Sequence, residues 1–271
     1  MSFKKIFFNV LEQAVKAFPA GKRVVIDLPA GNGETSRFLQ AKGFEVHPFD
    51  LFPEFFTGDD LKSKFCDIVQ GIPFADAGAD LIVCQEGIEH FSDQMVAFRE
   101  FSRVLKKNGK LILTTPNYSS LKSKVSYLLN ESEKHSRIMP VNEFDSIWFN
   151  RNDNENQYYG HVFLIGITKL RLFGKLAGFK ISKIHFSELK PSNLILFLIF
   201  YPFIVVTNLA NYFRNVRKKP HAKATYIEML KLNLNPKILL DGSLVVEFEK
   251  ELELSEAKKA LYQIGNYDLT T

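Results

Sequence analysis

RVVIDLPAGNGETSRFLQAKGFEVHPFD, residues 23–50, decides the fold. Its apolar run Val24-Val25-Ile26 ends in Asp27, and the small-residue turn Pro29-Ala30-Gly31-Asn32-Gly33 follows. A helical pattern with Phe38 and Leu39 on one side is closed by Gly43, and a short strand from Phe44 to Phe49 ends in Asp50. Strand, glycine turn, helix, strand, acid is the opening of a doubly wound sheet that binds a nucleotide-like ligand at its strand ends. Asp50 stands near the roughly 20-residue spacing at which a carboxylate accepts a ribose hydroxyl pair. The third glycine of G-x-G-x-x-G is missing, with Ser36 in its place, and no Gly-Lys-Ser/Thr follows, which argues against a dinucleotide and against a triphosphate.

Outward from this stretch the chain alternates strands and helices. An amphipathic helix over 3–19 leads, covering the sheet edge. Strands are read at 64–68, at 79–84 (ADLIVC, apolar enough to be buried on both faces), at 110–115, at 180–187 and at 240–249. With the first two they make a seven-stranded, Rossmann-like α/β sheet, mostly parallel, its last strand antiparallel. Helices are read over 92–106 and 168–177. The reading is a single domain over 1–250. A polar insertion, 117–163, carries a helix over 119–130 and no clear strand, and serves as a lid or substrate loop. A second insertion, 188–236, is apolar and basic, and a tail covers 251–271.

Composition bounds the class. The chain has 271 residues, 46% hydrophobic and 24% charged, with a formal net charge of +5, as in an ordinary globular protein. Its two cysteines, Cys66 and Cys84, fall in strands and read as buried thiols of a reducing cytoplasm. The N-terminus lacks the pattern of a signal peptide. No dense cluster of His, Cys and Asp argues for a metal.

Chemistry-bearing residues gather at the predicted carboxyl ends. Asp27 can hold the turn or a ligand ammonium. Asp67 can accept from an exocyclic amine of adenine, with Ile68 against the ring. In Gln85-Glu86-Gly87-Ile88-Glu89-His90-Phe91, either acid or His90 can bind a ligand or move a proton.

The pieces VVIDLPAGNGE, HPFD, CDIVQGIPF, ADLIVCQEGIEHF, FSRVLKKNGKLILTTPN and GHVFLIGITKLRLFGKLAGF stand in one order over residues 20–187. Together they resemble the class I S-adenosylmethionine-dependent methyltransferases of the type 11/23-like group. Pro29, where the family has a glycine, is the one departure. The resemblance implies S-adenosyl-L-methionine as cofactor, with Gly31, Asn32 and Gly33 at its methionine end, and Asp50 with Leu51 at the ribose. It places Asp67 and Ile68 at adenine, and Gln85 and Glu86 beside the sulfonium. It implies in-line methyl transfer to a small-molecule or glycan acceptor, with His161 as acceptor contact or general base, His90 as a second candidate, and Trp148, Tyr158 and Tyr159 as the acceptor wall. A nucleic-acid substrate is disfavoured because Gln85-Glu86-Gly87-Ile88 stands where an Asn/Asp-Pro-Pro-Tyr/Phe motif belongs. A cofactor-binding scaffold without turnover is the non-enzymatic alternative.

Leu194 to Val206 (LILFLIFYPFIVV) carries no charge, and Arg214, Arg217, Lys218, Lys219 and Lys223 follow with no acid among them. It is too short on its own for the ~18–20 apolar residues of a span. Three readings stand: a buried helical hairpin or homodimer face, a helix lying on the inner membrane surface through 193–219, or a true span.

Overall fold

The computed structural model describes residues 3–16, 18, 23–58, 60–132, 141–150, 153–187, 189 and 191–265. Its elements in order are α1 (Phe3–Lys16), β1 (Val24–Asp27), α2 (Glu34–Ala41), β2 (Glu45–Asp50), β3 (Lys64–Phe65), β4 (Ala79–Gln85), α3 (Gln94–Val104) and β5 (Leu105–Pro116). Then come α4 (Leu121–Asn130), α5 (Glu143–Ser146), β6 (Ile147–Asn150), β7 (Asp153–Tyr159), α6 (Ile167–Leu176) and β8 (Phe179–His185). The chain continues through α7 (Pro191–Lys218), α8 (Lys223–Asn233), α9 (Pro236–Leu240), β9 (Ser243–Lys250) and α10 (Leu254–Gly265).

Seven strands form one sheet in the order β3-β2-β1-β4-β5-β9-β8. The neighbouring pairs from β3 to β5 are parallel, while β9 runs antiparallel to both β5 and β8. The reversed strand is thus the last one, as the sequence predicts. Strand order turns back between β1 and β4, and the parallel strands bring Asp27, Asp50 and Gln85 to the same end of the sheet. That switch point is where an open α/β sheet leaves a crevice for a ligand.

The period-2 alternation of a strand sends successive side chains to opposite layers. Ile26, Ile82, Cys84, Leu111 and Leu113 join one core with Phe98 and Phe101 of α3 and Leu170 of α6. Val25, Leu81, Val83 and Ile112 join the other with Phe7 and Leu11 of α1 and Leu39 of α2. Hence α1 covers a face of the sheet rather than its edge. Phe98 is the hub of the first core, with edge-to-face contacts to Phe101, Phe173, Phe179 and Phe248 at 5.6–6.3 Å. Both cysteines are free and buried, and burial foremost pushes the thiols up, Cys66 to about 12.

Further expectations change. Only Lys64 and Phe65 pair as β3, so Asp67 and Ile68 lie beyond the strand in a turn. The 117–163 insertion, expected without strands, contains the antiparallel hairpin β6–β7. It is hard to read from the sequence because β6 has only four residues and β7 begins with the polar run Asp153–Gln157, while main-chain pairing needs no apolar alternation. The tail 251–271 opens with the helix α10, which buries Ala257. The stretch 194–206 is neither a short insertion helix nor buried, being part of the 28-residue α7, most of whose apolar side chains are exposed.

Truncating the hub tests the layered core. Phe98→Ala should destabilise by about 3–5 kcal/mol, as buried Phe truncations do, measured by urea unfolding. A loss below 1 kcal/mol would mean the site is not part of the core.

Candidate functional site

The glycine turn joins β1 to α2. Gly31 and Gly33 have φ of 52° and 80°, which side chains rarely tolerate, and a Cβ on Gly33 would fall 2.5 Å from the Phe56 ring. The Leu28–Pro29 peptide is cis, and Pro29 lies against Gly87, where a Cβ would sit 2.3 Å from its Cδ. The family's missing glycine is therefore matched by a glycine across the crevice, in the loop after β4. Asn32, between the two turn glycines, caps the start of α2 by accepting the Glu34 N–H at 3.1 Å, and its carbonyl accepts from Thr57 and Arg37.

Asp27 is the most perturbed group here. It is 1% exposed; Oδ2 accepts the Ser36 hydroxyl at 2.6 Å, and Oδ1 is buried with no hydrogen-bond partner. Burial first, with the Asp50 charge adding and the Ser36 hydrogen bond opposing, pushes its pKa up to about 7. A buried carboxylate oxygen without a donor is costly unless something supplies one. Ser36, which stands where a dinucleotide turn has its third glycine, is the residue that holds this carboxylate.

Asp50 ends β2. Its Oδ2 accepts the Gly31 N–H at 2.7 Å and its Oδ1 the Phe52 N–H at 2.9 Å, so it ties the turn to the next loop. Each oxygen retains lone-pair capacity for a hydroxyl. Leu51 follows, half-buried. Asp67 accepts from the Val69 N–H and the Gln70 side chain, closing its own turn, and Ile68 is packed into the core. Gln85 accepts the Thr35 hydroxyl at 2.8 Å, joining the end of β4 to α2. Glu86 holds φ at 48°, an uncommon conformation for a side-chain-bearing residue, fastened by Thr114. Thr114 Oγ1 accepts the Glu86 N–H at 3.0 Å and donates to its carboxylate at 2.9 Å.

Beyond Gly87 the loop meets the returning lid. His90 Nδ1 faces the carbonyls of Tyr159 and Gly160 at 3.0 and 3.1 Å. Two acceptors require a proton on Nδ1, which leaves Nε2 the lone pair in the neutral ring. The His161 ring lies 5.0 Å from that of His90. Glu89 is buried and accepts the Thr115 hydroxyl at 3.0 Å. Ligand atoms of Glu89, His90 and His161 all lie within 4.8 Å of one another, close enough to hold a metal ion together. This was not foreseen, because His161 is far from the other two in sequence.

The insertion also meets aromatics. Tyr158 meets Phe52 edge-on at 4.4 Å, and Tyr159 meets Phe163 at 5.2 Å. The Trp148 side chain lies outside the described residues, though its backbone pairs with Tyr158. Gln94 locks the junction by donating to the carbonyls of Ile88 and Phe163. Thr35, Phe52, Gln94, Thr114 and Thr115 carry much of this geometry and were missed. As single hydroxyls, an amide and a loop phenylalanine they have no spacing signature, and only the placement of elements brings them in.

Matches to known proteins follow this geometry. The family described as "Methyltransferase domain" matches residues 4–184. The chain is similar to a demethylmenaquinone methyltransferase of Thermotoga maritima, 30% identical over 118 residues that make 37% of this chain and 48% of that protein. It is also similar to a ubiquinone biosynthesis O-methyltransferase of Xanthomonas axonopodis pv. citri, 32% identical over 108 residues, 36% of this chain and 45% of that protein. The matched part is thus less than half the length of these curated relatives. A SAM-dependent methyltransferase structure from Archaeoglobus fulgidus superposes with a TM-score of 0.54 at 14% identity, covering 92% of this chain and 95% of that one. One from Methanosarcina mazei gives 0.51 at 17% identity, covering 89% and 98%. At these identities the likeness is one of fold. The family match runs from α1 into β8 and takes in the glycine turn, both strand-end acids and the His90–His161 pair, so the chain belongs to the methyltransferase domain family.

Proposed function

We propose that this protein transfers the methyl group of S-adenosyl-L-methionine to a small-molecule or glycan acceptor, lipid-linked acceptors included. The observation that carries the reading is the buried Asp27 Oδ1 without a donor, beside the glycine turn, where the space at Gly31 is open to close approach. An ammonium group on the methionine end of the cofactor fits that oxygen in charge and in hydrogen-bonding sense. Asp50 would take the ribose hydroxyls while keeping its two backbone bonds. Gln85 and Glu86, held by Thr35 and Thr114, border the cleft beyond the turn. Asp67 and Ile68 would bound the adenine end, through the backbone of their turn rather than their side chains.

Bound S-adenosylmethionine supplies a methyl group on a positively charged sulfur that already carries its leaving group. The chain's own residues therefore align and deprotonate the acceptor more than they activate the donor. His90 Nε2 and the adjacent His161 are the groups in position to take a proton from an acceptor hydroxyl or amine. Tyr158, Tyr159 and Trp148, from the lid hairpin, would wall the acceptor. The relatives named for menaquinone and ubiquinone biosynthesis support a small-molecule acceptor. The Glu89, His90 and His161 group supports a second reading, in which a divalent cation held there orients the acceptor oxygen and lowers its pKa.

Each assignment has an expected outcome. An Asp27 carboxyl raised to about 7 must release its proton to receive an ammonium. Cofactor affinity by calorimetry should therefore fall roughly tenfold per pH unit below pH ~7, and this slope should vanish in Asp27→Asn. The same raised value means that the free protein loses stability from this group as pH climbs from the ordinary 3.8 towards about 7, since the unfolded chain ionises first. Asp50→Ala should weaken binding by about tenfold or more; unchanged affinity refutes the ribose contact. His161→Ala and His90→Ala should each lower kcat by roughly 10²–10⁴ without altering cofactor affinity. Dialysis against a chelator leaves turnover intact if the histidines act alone, and abolishes it, with rescue by Mg²⁺ or Mn²⁺, if they hold a cation.

A further inference from the structure

The helix α7 leaves most of its apolar surface uncovered. Its span Ser192–Lys218 is long and apolar enough to cross a membrane, with a mean hydropathy of 2.0, yet only 6% of its apolar window is buried. The side turned to the rest of the domain half-buries Leu196, Phe197, Ile204 and Val205 and makes the helix's polar contacts to its neighbours. Asn193 is buried and donates to the Leu240 carbonyl at 2.7 Å, the Tyr201 hydroxyl donates to the Leu234 carbonyl at 3.2 Å, and Asn208 accepts from Asn233 of α8 at 3.0 Å. The side turned outward is apolar. Ile195 (62% exposed), Leu198 (70%), Phe203 (68%) and Val206 (67%) recur at three- to five-residue intervals, and Phe213 extends the stripe. A helix on a water-facing surface has the opposite arrangement. The helix α4, which packs against α7, likewise ends in the exposed Leu128 and Leu129. An apolar stripe of this extent on an exposed helix marks an interaction site.

Charge names the partner. Residues 189–227 contain no Asp or Glu, while Arg214, Arg217, Lys218, Lys219 and Lys223 stand exposed at and just beyond the end of α7. An apolar stripe that runs into an acid-free basic end fits a surface with a hydrocarbon layer below anionic groups. A second copy pairing through the same face would bring no carboxylate to these cations.

We propose that α7 lies in the headgroup–acyl boundary of an anionic bilayer, its Ile195–Phe213 stripe immersed and its Arg214–Lys223 end on the headgroups. The helix does not span. Its polar bonds at Asn193, Tyr201 and Asn208 tie it along its length to α8 and to the segments that flank α9. Crossing the bilayer would strand the two amides in hydrocarbon. At 28 residues, or about 42 Å, α7 lies flat along the domain and beside α4, whose start is pinned through Asn117 to the α9–β9 segment. The membrane face therefore adjoins the lid insertion that walls the acceptor side of the site.

Vesicle flotation of the full chain tests this independently of any methyl transfer. The protein should float with vesicles of equal phosphatidylcholine and phosphatidylglycerol, weakly with phosphatidylcholine alone, and less in high salt. Leu198→Glu combined with Phe203→Glu should lower binding about tenfold or more with thermal unfolding unchanged, as expected of exposed positions. Reversing Arg217, Lys218 and Lys219 to Glu should remove the preference for anionic lipid. No flotation of the native chain overturns the proposal. So does native-like flotation of the Leu198/Phe203 variant, or a change from dimer to monomer in that variant without loss of flotation, which would make the face an interface between copies. Resistance to alkaline carbonate extraction overturns the interfacial placement in favour of a span.

Discussion

The burial of β1, β4 and β5 on both faces is the constraint from which the rest follows. Their middles alternate between two dry cores, with Ile82 and Cys84 in one and Leu81 and Val83 in the other. No charge is tolerated there without a partner, so polar chemistry is displaced to the strand ends. Parallel pairing then brings those ends together, and the turn in strand order between β1 and β4 opens the crevice. Asp27, Asp50 and Gln85 are neighbours for that reason alone.

The same low-dielectric setting explains how the crevice is poised. Asp27 ends a buried strand beside a second carboxylate, and Ser36 supplies its hydrogen bonds through both its hydroxyl and its backbone. Its proton is therefore held towards neutrality, so the charge of this one side chain changes within the physiological pH range. The other acids are stabilised differently. Asp50 is fed by backbone N–H groups of the turn, Glu86 by Thr114 and Glu89 by Thr115. The lid adds the last component, since His90 is oriented by carbonyls that arrive with β7. A chain without this return strand would leave His90 unoriented and His161 elsewhere.

Much of this was legible in the residues. The apolar runs VVID and ADLIVC, the Gly31/Gly33 turn and Asp50 are local features whose spacing is set by strand and helix geometry, so the parallel half of the sheet could be read directly. Other features were not legible, for physical reasons. Asp67 stands one residue after Cys66 in an apparent strand, but pairing stops at Phe65 and the Asp67 side chain closes a turn. In the β6–β7 hairpin, β6 is only four residues long and β7 begins with the polar run Asp153–Gln157, so neither arm leaves a periodic mark. Phe52, Thr35 and Thr114 are ordinary residues until the turn, the loop and β5 converge on the same crevice.

By itself, then, the sequence determined the sheet, its reversed last strand, the acids at the strand ends and the family, because these depend on local periodicity and short spacings. The tertiary structure decided what depends on distant segments meeting. It set Pro29 against Gly87, joined His161 to His90 and Glu89, and left Asp27 Oδ1 without a donor. It also decided which side of α7 faces out. Composition shows that residues 194–206 are apolar, but only the hydrogen bonds of Asn193, Tyr201 and Asn208 to neighbouring segments fix which side of the helix is turned inward and leave Ile195, Leu198, Phe203 and Val206 facing out.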